Sequence, residues 1–204
     1  TAPPSAAEQA AMQRARADSA RHPWTDADAR FMTNMIGHHA QAIVMAQMAP
    51  SHGASPQIQT LAGRIINAQR DEIVTMQTWL RDRGRPVPQV GPGGEHAGHD
   101  MGGMQHDMAG MQHDALMPGM LTPEQLAALD AARGPEFDRM FLRLMIQHHS
   151  GAVQMVSELF GSYGAGQDET VFKFASDVNV DQTTEIARMQ RMLADLIFGE
   201  STSP

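Results

Sequence analysis

One block of this chain is written twice. Asp28, Phe31, Met35, Ile36, His38, His39, Ala42 and Met45 return 110 positions later as Asp138, Phe141, Met145, Ile146, His148, His149, Ala152 and Met155. A second block follows at an offset of 113, with Gln69, Glu72, Ile73, Met76, Gln77 and Leu80 returning as Gln182, Glu185, Ile186, Met189, Gln190 and Leu193. Two blocks repeated in the same order, at a period far beyond that of a solenoid, imply two copies of one helical hairpin.

The local signals agree with helices. Thr25 stands where an N-cap belongs, with Asp28 three residues on, and Pro50 ends the pattern. Ser55-Pro56 opens a second helix that Gly84 closes. Thr122-Pro123-Glu124 starts a short helix over about 123–133. Pro135 opens a long one to about Phe160, and a last helix runs from about Asp168 to Phe198. Val171-Phe172-Lys173-Phe174 is the main segment that also reads as strand; its helical continuation decides for helix. Only 5% of residues are aromatic, so Met, Ile, Leu, Val and Ala must build the core, a palette suited to packed helices. The expected fold is therefore all-α, an up-and-down four-helix bundle made from two hairpins.

Composition also excludes functions. The net charge of -8, without a basic run, argues against nucleic acid as a partner. No stretch approaches the ~20 apolar residues needed to span a bilayer. The chain has no Cys but 17 Met. Thioethers bind soft metals without forming disulfides, which suits an oxidising compartment. The opening Thr1-Ala2-Pro3-Pro4-Ser5 suits a mature N-terminus left by signal removal, and Ser5 with Glu8 fits a capping box.

Helical spacing places Met35, His38, His39 and Met45 on one stripe with Phe31 and Ala42, and the second copy repeats it with Met145, His148, His149 and Met155. The partner helices carry Gln69 and Glu72, and Gln182 and Glu185, on faces that are otherwise apolar. A buried carboxylate needs a partner. A neighbouring His or a metal ion supplies one; a His–Glu network that only fixes helix register is the plainer alternative.

Residues 91–121 differ from the rest. They hold His96, His99, His106 and His113 together with Met101, Met104, Met108, Met111, Met117 and Met120 in a Gly- and Asp-rich setting. His-Asp recurs every seven residues, and Met104-Gln105-His106-Asp107 is repeated as Met111-Gln112-His113-Asp114. Apolar thioethers gain nothing in a solvated loop unless they bind something. Thioethers select Cu(I), and imidazoles accept Cu(II), Cu(I), Zn and Ni. A low-complexity linker grown by slippage is the alternative.

The order Asp-x2-Phe-x3-Met-Ile-x-His-His-x2-Ala-x2-Met, followed by Gln-x2-Glu-Ile-x2-Met-Gln, resembles a bacterial His-His-motif domain-of-unknown-function family with a ferritin-like helical bundle. That family includes secreted and periplasmic copper-binding proteins linked to copper resistance. The resemblance covers about residues 23–90 and 122–198. It implies Met35, His38, His39, Met45 and Met76 as ligands in one half and Met145, His148, His149, Met155 and Met189 in the other. Asp28, Gln69, Glu72, Asp138, Gln182 and Glu185 would orient the imidazoles. A ferritin-type di-iron centre does not fit, because Thr75 and Arg188 stand where Glu-x-x-His pairs need His.

The expected organisation is a tail at 1–22, a first hairpin at 23–90, a metal-binding loop at 91–121 and a second hairpin at 122–204, with 23–204 as one bundle domain. The expected function is copper binding, buffering or resistance outside the cytoplasm, secreted or periplasmic, as Cu(I) or Cu(II). Ag, Zn and Fe are further candidates, and a metal-donor or acceptor protein is the expected partner. A metal-dependent oxidase and a structural bundle without metal are the competing readings. Turnover separates the first competitor, and the absence of metal-induced stabilisation separates the second.

Overall fold

The computed structural model describes residues 23–90 and 116–199, with Ser5, Ala6, Gln9, Ala10 and Gln13. Among the described residues, five continuous helices carry the fold: α1 (Asp26–Gln47), α2 (Pro56–Asp82), α3 (Pro123–Ala131), α4 (Gly134–Gly161) and α5 (Glu169–Gly199). Glu8, and with it the capping box expected near the N-terminus, lies outside the described residues. Among the described residues, no helix is long and apolar enough to cross a membrane.

The caps fall where the sequence sets them. Thr25 and Asp28 form a capping box at α1, and Thr122 and Gln125 form another at α3. Ser55 caps α2 with Pro56 at its first turn. Asp168 Oδ1 accepts from the backbone N–H groups of Thr170 and Val171 to start α5. The segment at 171–174 is helical. Val171 and Phe174 are buried while Phe172 is exposed, the spacing of a helix face rather than of a strand.

Helix α1 packs along α2, α4 packs along α5, and the two hairpins meet where α1 faces α4. The two helices that carry the His-His pairs thus form the central seam. Two hydrophobic clusters fill the interior. One contains Met35, Met76 and Met155 with Phe31 and Phe174; the other contains Met45, Met145 and Met189 with Phe137 and Phe141. Each cluster takes methionines from both hairpins.

Asp28 and Asp138 lock the hairpins together. Asp28 Oδ1 accepts from Gly166 N–H at 2.7 Å, in the connection of the second hairpin. Asp138 accepts from Ser55 N–H at 3.2 Å, in the connection of the first. Both carboxylates, expected from the resemblance to orient imidazoles, sit instead at interhairpin joints. The reason is distance: Asp28 lies ten residues before His38, about 15 Å along a helix axis.

Residues 117–121 form a strap across the α1–α4 seam. Gln41 grips Leu121 twice, donating to its carbonyl at 3.1 Å and accepting from its N–H at 2.8 Å. The strap lies so close to α4 that a Cβ on Gly151 would stand 2.0 Å from the Pro118 carbonyl oxygen. Gly119, at φ +76°, faces the same helix, and a Cβ there would stand 2.7 Å from the Gln147 carbonyl oxygen. Because backbone meets backbone, no side chain can yield. Gly151→Ala is therefore expected to cost about 1–3 kcal/mol, the range for overpacking. The urea midpoint should fall with an unchanged slope; an unchanged midpoint would mean that the strap is displaced without penalty.

Candidate metal centre

The four motif histidines are fully buried and converge on the seam. His38 and His148, equivalent residues of the repeat, lie ring against ring with centroids 3.8 Å apart and planes tilted by 39°. His39 stands 6.5 Å from His38, and His149 stands 6.4 Å from His148, between ring centroids.

Each flanking imidazole is tied to the carboxylate that the sequence had set on the partner helix. His39 Nε2 meets Glu72 Oε2 at 2.5 Å, and His149 Nε2 meets Glu185 Oε2 at 2.7 Å. Both carboxylates are partly exposed, so neither is an isolated buried charge. His38 Nε2 donates to the Pro118 carbonyl at 3.0 Å. In the neutral imidazoles these acceptors set the tautomer: the proton sits on Nε2, and Nδ1 carries the lone pair. The Nδ1 atoms of His38, His39 and His149 are buried without a partner, and His148 has neither nitrogen paired.

His52 shows what a satisfied buried histidine looks like in the same protein. It has Ser51 Oγ at 2.9 Å from Nδ1, and the Asp130 carbonyl and Oδ1 at 2.9 and 3.0 Å from Nε2. Leaving a buried polar atom unpaired costs about 1–3 kcal/mol. The motif histidines carry that cost repeatedly, and they carry it mostly as bare lone pairs. The Oε1 atoms of Gln69 and Gln182, one turn before Glu72 and Glu185, are bare acceptors as well. The interior is rich in electron pairs and poor in donors.

Burial keeps the central pair neutral. It pushes His38 down to about 3, helped by the nearby His39 and His149 and opposed by the bond to Pro118. Burial likewise holds His148 well below its ordinary value, with His38 adding to the effect. Neutral imidazole is the form that binds metal.

Of the methionines singled out in the sequence, Met35, Met45, Met76, Met145 and Met189 have no exposure, and Met155 has 6%. Met117 and Met120 lie on the strap, half-buried. His96, His99, Met101, Met104, His106, Met108, Met111 and His113 lie outside the described residues.

Two features have no counterpart in the repeat. The Pro118 carbonyl is backbone; the Pro118-Gly119 turn signal marks its place but not its partner. Asp181 belongs to a groove between α2 and α5 that Glu72, Asp71, Asp177 and Glu169 also line. Burial pushes its carboxyl up, and Glu72, Asp177 and Glu185 push it further. Residue 68, its counterpart in the first hairpin, is Ala, so comparing the two copies passes over it.

Fold and site together define an all-helical protein whose two hairpins enclose a histidine- and methionine-lined interior. The chain belongs to the family described as a domain of unknown function, DUF305, whose model matches residues 28–193. Solved structures agree. A DUF305 fragment from Deinococcus radiodurans shares 27% identity at a TM-score of 0.66, over 84% of this chain and 98% of that one. CopM in its Cu(II)-bound form shares 32% identity at a TM-score of 0.59, over 82% of this chain and 96% of CopM. CopM in its Cu(I)-bound form shares 30% identity at a TM-score of 0.58, over 84% of this chain and 97% of CopM. No curated protein matches this chain.

Proposed function

We propose that this protein binds copper outside the cytoplasm and serves as a copper buffer or resistance factor. The observation that carries the reading is the set of bare, buried imidazole nitrogens at the seam, with tautomers already set for coordination through Nδ1. Four long helices from two duplicated hairpins would form a ferritin-like bundle around them. Among the described residues, no group of three or more His, Asp or Glu side chains makes a cation cage. An ion here therefore needs thioethers beside imidazoles, and the two core clusters offer Met35, Met76 and Met155 in one and Met45, Met145 and Met189 in the other. That mixed set favours Cu(I) and Ag(I) over Zn. Glu72 and Glu185, by accepting from Nε2, hold their rings in place and raise the basicity of Nδ1. The relatives solved with Cu(II), Cu(I) and Ag bound support the same ion class. The Met/His-rich segment at 91–121 would form a second class of site.

The test is Cu(I) competition against a chromophoric chelator. It compares the intact chain, a chain lacking 96–115, which leaves the strap at 117–121 in place, and a chain with His38, His39, His148 and His149 replaced by Ala. Binding should weaken but persist in the deletion and lose its bundle fraction in the histidine variant. Unchanged stoichiometry in the histidine variant would sink the bundle site. A buried water would satisfy the same lone pairs, but water gives no metal dependence.

A further inference from the structure

We propose that the groove between α1 and α4 is the entrance to the seam, where the thioethers of Met117 and Met155 hold a soft monovalent ion on its way to the imidazoles. The inference rests on the copper reading above. The groove has a volume of about 180 Å³ and is lined by Phe31, Asn34, Met117, Pro118 and Met155, with Arg30 and Glu158 also on its wall.

Three observations single it out. Met155 is the only one of the six motif methionines with measurable exposure; the other five have none. Met117, on the strap, packs against the cluster that contains Met155, Met35 and Met76. Pro118 lines the groove and also holds His38 Nε2 through its carbonyl, so the groove ends beside the first imidazole of the seam.

The chemistry selects the ion. Thioethers are uncharged and soft, so they retain Cu(I) or Ag(I) and give little to Zn or to hard cations. Arg30 and Glu158 carry opposite charges, so the groove itself does not concentrate cations by field alone. The route is one-sided. Met45, the repeat counterpart of Met155, is fully buried. The repeat thus builds two similar clusters, and the strap opens one of them.

The test uses the full chain with 13C-methyl-labelled Met and 15N-labelled His, titrated with Ag(I) and followed by NMR, with methyl signals assigned by single Met→Leu variants. The Met117 and Met155 methyl signals should shift together, no later than the imidazole Nδ1 signals, and Zn(II) should leave both methyls unmoved. Met117→Leu should abolish the early shift at Met155. It should also slow the loading of the imidazoles from a Cu(I)–chelator complex. Imidazole shifts with Met117 unmoved would overturn the entrance and leave the copper reading standing. Unmoved imidazoles would overturn the copper reading, and the entrance with it.

Discussion

His148→Leu is expected to make the metal-free protein more stable and less able to respond to metal. His148 is fully buried, and neither of its ring nitrogens has a partner. Folding strips water from both, and a weak contact with the His38 backbone repays only part of the loss, which leaves a cost of about 2–4 kcal/mol. Leu is close in size, apolar, and already common in the surrounding core, so the exchange removes the cost with little repacking. The variant loses the ring contact with His38 at 3.8 Å. An aromatic pair contributes about 0.5–1.5 kcal/mol beyond its burial. The net expectation is a gain of about 1–3 kcal/mol, seen as a higher urea midpoint. Ag(I) at a hundredfold excess over its Kd stabilises a folded protein by about 2.7 kcal/mol; that increment should shrink sharply in the variant. His52→Leu is the control. Its ring is fully partnered, so the same exchange should destabilise the protein. A His148→Leu protein that is less stable, yet is still stabilised by Ag(I) as before, would show that this imidazole serves the fold and not the metal.

That trade between stability and site is why so much of the arrangement is legible in the sequence. A polar residue on an apolar helix face is an expense, and the same expense at equivalent positions of two copies marks it as kept for a reason. The His39–Glu72 and His149–Glu185 pairs follow from this logic: two helices of one hairpin, each with a polar interruption, must satisfy one another. Helical periodicity likewise puts the six motif methionines inside. It does not tell which hairpin each one meets. Met35 shares a cluster with Met155 of the other copy rather than with Met45 of its own, since that pairing depends on how α1 crosses α4. Asp28 and Asp138 illustrate a different gap. The motif includes them, but their partners are backbone N–H groups of loops, Gly166 and Ser55, and such groups leave no trace in residue identity. The strap is hidden for the same reason. Only the two close approaches, at Gly119 and Gly151, hint that a segment expected to belong to a loop lies against the core.

Acid should destabilise the metal-free protein before its carboxylates begin to titrate. His38 is pushed down to about 3 in the folded protein by burial, with His39 and His149 adding to the effect, against an ordinary value of 6.5. His148 is lowered well below 6.5, again by burial first and His38 second. In the unfolded chain both imidazoles take up a proton as the pH falls through about 6.5. In the folded chain they do not until far lower. The unfolded state therefore binds more protons in this window, and stability rises with pH. The contribution is complete above 6.5 and is lost as the pH falls towards the folded values. A histidine that is protonated only in the unfolded chain contributes a slope of up to about 1 kcal/mol per pH unit, and the two act in the same sense. Two units of acidification thus remove a few kcal/mol, a sizeable share of the roughly 5–15 kcal/mol that holds a typical domain together. Asp168, held below its ordinary value by Trp79 and Arg83 against the upward push of burial, adds a loss only at more acidic pH. Asp181, raised by burial first and then by Glu72, acts in the opposite sense. Urea midpoints measured between pH 4.5 and 7 with a chelator present check the slope, and His148→Leu should remove about half of it. A profile that stays flat from 6.5 down to 4.5 would mean that the seam admits water or protons in the folded state, and the bare nitrogens on which the copper reading stands would no longer be bare.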